Sequence, residues 1–371
     1  MAEPLKNIYN EVFFAELGSG LQKAIPEIDT KKFIASVQNK DWPGMELKQR
    51  MRHLSTMLHD HLPGNYKSKL AKVLKLIAAL PTQSSVQYSG LAYMYLPDFV
   101  AQYGLKDVEL SLKAMEKINM VTSCEFAIRP FLLSDEKKVM KQMLAWSRHP
   151  HQNIRRFASE GCRPRLPWGV AIPSLKKDPS SILPILENLR YDKEVYVQKS
   201  VANNLNDISK DHPELVISIA KKWQGRSAAS DWIIKHGCRG LLKSGHKEVL
   251  NIFGTGAHIK AVINKLSISK STLLIGEDFQ FDFQLQLKEK EPCKLRIEYA
   301  VYYQKANASL SKKIFKINEG LYQNDRVYSF SKKHSFKDLT TRKHHAGKHA
   351  IAIIVNGNEY QQQEFKLKNY Q

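Results

Sequence analysis

Asn153-Ile-Arg-Arg-Phe-Ala-Ser-Glu-Gly-Cys-Arg-Pro-Arg-Leu-Pro-Trp168 joins half of a helical repeat to a dense arginine cluster and ends in a tryptophan on a proline-broken loop. Superposing Ile154 on Val197 puts Arg155 on Gln198 and Ala158 on Val201, so Tyr196-Val-Gln-Lys-Ser-Val-Ala-Asn-Asn-Leu is a second copy, 43 residues on. Trp232-Ile-Ile-Lys-His-Gly-Cys-Arg-Gly-Leu-Leu242 is a fainter third. A period near 40 residues with an apolar, basic, x, x, small core predicts HEAT-like helix pairs. Such pairs stack into a curved α-solenoid whose concave face is a long binding groove.

Outward from this stretch, the helical pattern extends over residues 1 to about 257. Apolar residues at 47, 51, 54, 57 and 58 have the three-and-four spacing of an amphipathic helix. Leu70 to Leu80 repeats it and stops at Pro81, and Asp107 to Met120 and Glu136 to Trp146 do likewise. From about 258 to 371 the period changes to two. Phe279, Phe281, Phe283, Leu285 and Leu287 alternate with polar residues, and so do Leu295, Ile297, Tyr299, Val301 and Tyr303. His349–Val355 meets Glu359–Leu367 across Asn356-Gly357, the signal of a type I′ hairpin. The expectation is a mainly α chain in two domains: a repeat domain, 1–257, and a small all-β Ig-like sandwich, 258–371. Cys293 is the sandwich's only cysteine, so the expected sandwich lacks an inter-sheet disulfide.

The charge is large and uneven. The chain carries 57 Lys plus Arg against 36 Asp plus Glu, a net +21, and such an excess favours nucleic acid or an anionic membrane surface. No apolar run approaches a membrane span. The N-terminal residues lack a secretory pattern, and the four cysteines are too scattered for zinc ligation or a disulfide framework. A cytoplasmic, nucleoid-associated protein is expected. Between residues 137 and 177 lie ten Lys or Arg and a single acid, Glu160, a one-signed patch that suits phosphate better than a solvated helix face. Residues 330 to 349 hold six Lys or Arg and four histidines, read as a mobile loop or hairpin that braces the far side of a duplex. His344, His345 and His349 lack a carboxylate or thiol of suitable spacing, so no metal is expected.

The run from Asn153 to Trp168 resembles the signature of the AlkC branch of the HEAT-like-repeat DNA glycosylases, with Arg163-Pro-Arg-Leu-Pro-Trp168 its specific part. Leu47-Lys-Gln-Arg-Met-Arg-His-Leu54 resembles an N-terminal helix of that family, and Val201-Ala-Asn-Asn-Leu-Asn-Asp-Ile-Ser-Lys-Asp-His-Pro213 a later repeat. The resemblance runs through most of residues 1–257, and the family has members with a C-terminal Ig-like domain. It implies excision of cationic N3-alkylated bases, 3-methyladenine and 3-methylcytosine, from double-stranded DNA. It also implies Glu125, Asp207 and Trp168 as catalytic residues, with the base left largely stacked.

The chemistry agrees with those residue types. A base alkylated at N3 already carries a positive charge and leaves neutral, so no general acid is required. What is required is negative charge beside the sugar, where an oxocarbenium ion develops, and a placed water. Each residue also has an ordinary role to weigh. Glu125 would pair with Arg129 one helical turn on, Asp207 would cap the next helix, and Trp168 would be core. Contacts to DNA are expected from Arg148, Asn153, Arg155, Arg156, Arg163 and Arg165, and from Lys332, Lys333 and Lys343 in the second domain. No lysine stands out as a Schiff-base nucleophile, so a monofunctional enzyme without a cofactor is expected. No aromatic cluster marks a base pocket, and a monomer is expected because one curved groove holds one duplex. The rival reading is a non-catalytic HEAT scaffold that binds nucleic acid and tolerates loss of both acids.

Overall fold

The computed structural model describes residues 3–81, 83–256, 259–324, 326–338 and 343–369. The chain divides into two compact units, Met1–Asp211 with Gly225–Gly237, and His212–Gln224 with Cys238–Gln371. The helices in order are α1 (Glu11–Ala24), α2 (Thr30–Val37), α3 (Leu47–His61), α4 (Tyr66–Ala79), α5 (Ser89–Ala92), α6 (Tyr95–Tyr103), α7 (Val108–Ile118) and α8 (Ile128–Ser134). There follow α9 (Glu136–Trp146), α10 (Gln152–Gly161), α11 (Pro173–Lys177), α12 (Leu183–Leu189), α13 (Val195–Ile208), α14 (Pro213–Trp223), α15 (Ala228–Gly237), α16 (Arg239–Lys243) and α17 (Lys247–Ile252).

Local chemistry sets several of these boundaries. Asp107 and Asp135 cap α7 and α9 by accepting from the backbone N–H of Leu110 at 3.2 Å and of Lys138 at 3.1 Å, each satisfying an amide that the first turn leaves open. Glu46 and Gln49 form a capping box at the start of α3.

The repeat seen in the sequence is structural. α10 and α13 start 43 residues apart, and α13 packs against both α10 and α15. The superposed positions behave alike: Ile154 and Val197 are buried, as are Ala158 and Val201. Each buried aliphatic side chain contributes about 1.5–3 kcal/mol. The α10–α13 seam also carries polar bonds, the Ser159 and Ser200 hydroxyls at 2.6 Å and Asn204 Nδ2 donating to Ser159 O at 2.8 Å.

The second unit holds two sheets. Its strands are β1 (Ala261–Ile268), β2 (Thr272–Leu274), β3 (Asp278–Leu287), β4 (Cys293–Gln304), β5 (Leu310–Tyr322), β6 (Val327–Ser335), β7 (Gly347–Val355) and β8 (Asn358–Lys368). One sheet has the order β1-β3-β6 and the other β2-β8-β7-β4-β5. The alternating residues of β3 meet Leu295, Ile297, Val301, Ile351 and Ile353 in one core. β4 and β7, central in the larger sheet, also bury their opposite faces through Ala300, Ala352 and Ile354. Asn356 and Gly357 have φ of 48° and 77°, the two positive values a type I′ turn demands. A Cβ on Gly357 would meet Leu250 Cδ1 at 2.6 Å, so the turn needs glycine for space as well.

The segment read as a mobile loop or hairpin is built differently. Its first part is β6, an edge strand, and its last part enters β7 in the other sheet, so the chain crosses between sheets rather than folding on itself. Residues 339–342 lie outside the described residues. Three of its histidines are core. His334 lies 3.0 Å from the Tyr299 hydroxyl and 2.7 Å from that of Tyr303, His344 packs against Tyr303 and Phe336, and His349 stacks on Phe365. The physical reason is packing: imidazole is a flat, half-apolar ring that fills an aromatic cluster once its nitrogens find partners. Lys332, Lys333 and Lys343 are exposed.

Candidate functional site

The site lies in the helical unit, where α10, α13 and the loops after α7 and α10 meet. Glu125 sits between α7 and α8 with its side chain 16% exposed. Its Oε2 accepts from Arg156 Nη1 at 2.6 Å and from the Ser123 hydroxyl at 2.8 Å, and Arg156 Nη1 also reaches that hydroxyl at 2.9 Å. Oε1 has no hydrogen-bond partner among the described residues. The pair with Arg129 expected of an ordinary acid is absent. Arg129 is instead fully buried and donates to the carbonyls of Gly161, Arg163 and Val170, fastening both ends of the loop that carries Trp168. Burial pushes the Arg129 guanidinium down to about 10, which still leaves it cationic at neutral pH.

Asp207 lies in the last turn of α13, 2% exposed, and caps no helix: the N-cap of α14 is His212. Its Oδ2 accepts from Arg163 Nε at 2.8 Å and its Oδ1 from Lys210 Nζ at 2.9 Å. Glu160 joins the two halves. Its Oε1 is 2.6 Å from Arg163 Nη1 and 3.7 Å from Arg156 Nη2. A row of alternating charges therefore runs Lys210, Asp207, Arg163, Glu160, Arg156, Glu125. Sequence reasoning noticed Glu160 as the lone acid of a cationic run but assigned it nothing; its spacing, four residues from Arg156 and three from Arg163, was the available signal.

The arginines are thus largely engaged within the protein. Arg155 grips Asp192 with Nε at 2.5 Å and Nη2 at 3.1 Å, and Arg165 grips Asp211 with Nη2 at 2.6 Å. Arg148 is exposed, with no side-chain partner among the described residues. Asn153 donates to Met120 O at 3.4 Å, and its own carbonyl accepts from Asn119. Four arginines of that patch, Arg155, Arg156, Arg163 and Arg165, are paired in space with Asp192, Glu125, Asp207 and Asp211.

Trp168 is 64% exposed and has φ of 64°, a left-handed conformation that costs a bulky residue about 1–3 kcal/mol unless its surroundings impose it. Lys48 donates to its carbonyl, and Gly169 lies so close to Arg129 that a Cβ there would meet Arg129 Cδ at 3.2 Å. It is not core.

Two cavities flank Ser123. One, of about 380 Å3, is lined by Trp168, Phe126, Met51, Met94, Pro97 and other residues of α3, α6 and the Trp168 loop. The other, of about 210 Å3, is lined by Asn119, Thr122, Asn153, Arg156 and Tyr196 among others. The guanidinium of Arg156 lies 4.8 Å from the Tyr196 ring centre.

Residues 48–241 match the DNA alkylation repair enzyme family, more than half of the chain. The chain belongs to that family. Residues 262–369 match the C-terminal Ig-like domain of the uncharacterised protein YhaZ, so the two-sheet unit is Ig-like. This family member is 42% identical to the uncharacterised protein YhaZ of Bacillus subtilis (strain 168) over 363 residues, 98% of this chain and 99% of that protein. It also superposes on the alkylpurine DNA glycosylase AlkC of Pseudomonas fluorescens, solved bound to DNA containing an abasic site analog. That match has a TM-score of 0.92 at 34% identity and covers 99% of this chain and 100% of the other. The member stands in the AlkC branch of the DNA alkylation repair enzymes, and its architecture is a helical repeat-like domain with an Ig-like domain after it. No helix among the described residues is long and apolar enough to cross a membrane.

Proposed function

We propose that the chain is a monofunctional DNA N-glycosylase that hydrolyses cationic N3-alkylated nucleotides, 3-methyladenine and 3-methylcytosine, in double-stranded DNA. The observation that carries this reading is the state of Glu125: one oxygen is clamped by Arg156 and Ser123, and the other has no hydrogen-bond partner among the described residues. A carboxylate held in this way is aimed without being consumed.

In the reaction, the electrons of the C1′–N bond leave with the base, which departs neutral. The sugar becomes an oxocarbenium ion, water adds at C1′, and a proton is released. Glu125 places negative charge against that cation with no reorganisation, the condition under which electrostatic stabilisation is strongest. Asp207 supplies a second carboxylate. Of its two partners, Lys210 is half exposed, and a DNA phosphate that draws the lysine away frees Oδ1. Trp168 lays an aromatic face against the sugar. Arg163 and Glu160 hold the carboxylates in register. Phosphate contacts fall to Arg148, Asn153 and Arg165, with Arg155 and Arg156 reaching phosphate where they turn from their acids, and to Lys332, Lys333 and Lys343 in the Ig-like domain. The lesion base stays largely in the stack, and one chain acts on one duplex as a HEAT-like monomer.

The test is release of free bases from methylated duplex DNA by wild type and Glu125→Gln. Wild type is expected to release 3-methyladenine. The variant is expected to lose at least two orders of magnitude, about 2.7 kcal/mol of barrier, while binding the duplex as before. Folded wild type that binds DNA and releases nothing sinks the enzyme reading.

A further inference from the structure

The larger cavity shares Trp168 with the mechanism above, and another of its walls is a single hydrogen bond from Glu125. Ser123 lines it, and the Ser123 hydroxyl donates to Glu125 Oε2 at 2.8 Å. Its volume of about 380 Å3 is within the range of small-ligand sites.

Its chemistry selects among ligands. The lining includes two aromatic residues, Phe126 and Trp168, together with Met51, Met94 and Pro97, a lining for a flat heterocycle. The charged side chains of the lining are Lys48, Arg52 and Asp98. Lys48 Nζ is 4.9 Å from the Phe126 ring centre. The buried carboxylate, Asp98, is already paired with Arg52 at 2.9 Å and with the amide of Gln102, so Lys48 is the charge of the lining left without a carboxylate partner among the described residues. Gln49 accepts from the Glu46 N–H through Oε1, which leaves its amide N–H groups for ring nitrogens. Lys48 opposes entry of an alkylated base while it is still a cation on DNA. The cavity accepts the same base once cleavage has made it neutral.

We infer that this cavity is a binding site for the excised, neutral alkylpurine, a product site distinct from the place where the base is attacked. The inference rests on the glycosylase reading. It makes the charge change of the reaction itself the gate, and it predicts product inhibition by free base.

The experiment is equilibrium dialysis of full-length protein against radiolabelled 3-methyladenine, with base release from methylated duplex assayed on the same preparation. Saturable binding of one base per chain is expected, at least tenfold weaker for a permanently cationic dialkylated adenine. Ala101→Phe fills the cavity from α6 and is expected to weaken binding at least tenfold. Phe126→Leu removes one ring with little change in bulk and serves as the second variant, with thermal melts confirming that both fold. Base release by wild type without saturable binding overturns the inference and leaves the glycosylase standing. Binding unaltered in both folded variants overturns the location. Binding without any base release overturns the glycosylase reading, and the product assignment with it.

Discussion

Exchanging Glu160 for glutamine removes the one negative charge between two guanidinium groups. The side chains of Arg156, Glu160 and Arg163 are 15%, 6% and 7% exposed, so water does little to replace the lost charge. Removing one partner of a buried ion pair costs about 3–5 kcal/mol. Here the amide oxygen still accepts a hydrogen bond, and each arginine keeps one other carboxylate, Glu125 at 2.6 Å or Asp207 at 2.8 Å. The expected cost is therefore at the lower end, about 3 kcal/mol. For a helical unit of this size that lowers Tm by about 6–12 °C. Urea unfolding followed by far-ultraviolet circular dichroism should show a lower midpoint with an unchanged slope. A loss below about 1 kcal/mol, the value of an exposed pair, refutes the argument that Glu160 is the keystone of the charge row.

Other outcomes follow from the same geometry. Trp168→Gly relieves a left-handed φ at an exposed site, so stability should hold or rise by up to about 1 kcal/mol while base release falls at least tenfold; a large fall in Tm would mark Trp168 as structural. His349 is buried, which lowers its pKa below the usual imidazole value. The unfolded chain then takes up a proton near pH 6.5 that the folded one refuses. Stability of the Ig-like unit should accordingly be full above that pH and fall below it, with a slope approaching about 1.4 kcal/mol per pH unit. Melts of that unit at pH 7 and pH 5 should show the drop, and His349→Phe should flatten it; an equal drop in the variant rules His349 out as its source. Arg148→Ala should reduce the salt slope of duplex binding by about 1, and Arg155→Ala by less, since Asp192 already neutralises it. Equal slopes would show that Arg155 leaves its acid when DNA binds.

The elements were legible because periodicity is a local property. Glu136–Trp146 occupies the span its pattern predicted, the alternating residues Phe279 to Leu287 fall within β3, and the 43-residue offset reappears in the starts of α10 and α13. The identity of the site residues depended on the resemblance, whose family the matched stretch bears out. What the arginines do was not legible. A count along the chain sees one acid among ten cations, but Asp192, Asp207 and Asp211 arrive from 37 to 46 residues away. The base-sized cavity was hidden for the same reason: Phe126 and Trp168 are no cluster in sequence, and only α3 and α6 make them walls of one space. The histidines of the Ig-like domain misled in the opposite sense, polar by type and buried by packing.

The distance between the arginines and their acids also has a consequence during synthesis. Ribosomes add roughly 5–20 residues per second. Arg155, Arg163 and Arg165 therefore leave the exit tunnel about 2–9 s before Asp192, Asp207 and Asp211 follow. Through that interval the nascent segment carries unpartnered guanidinium groups within reach of ribosomal RNA. Arg163 reaches its final electrostatic state only when α13 emerges with Asp207, so the order of translation, as well as the finished fold, decides when this cationic segment becomes quiet.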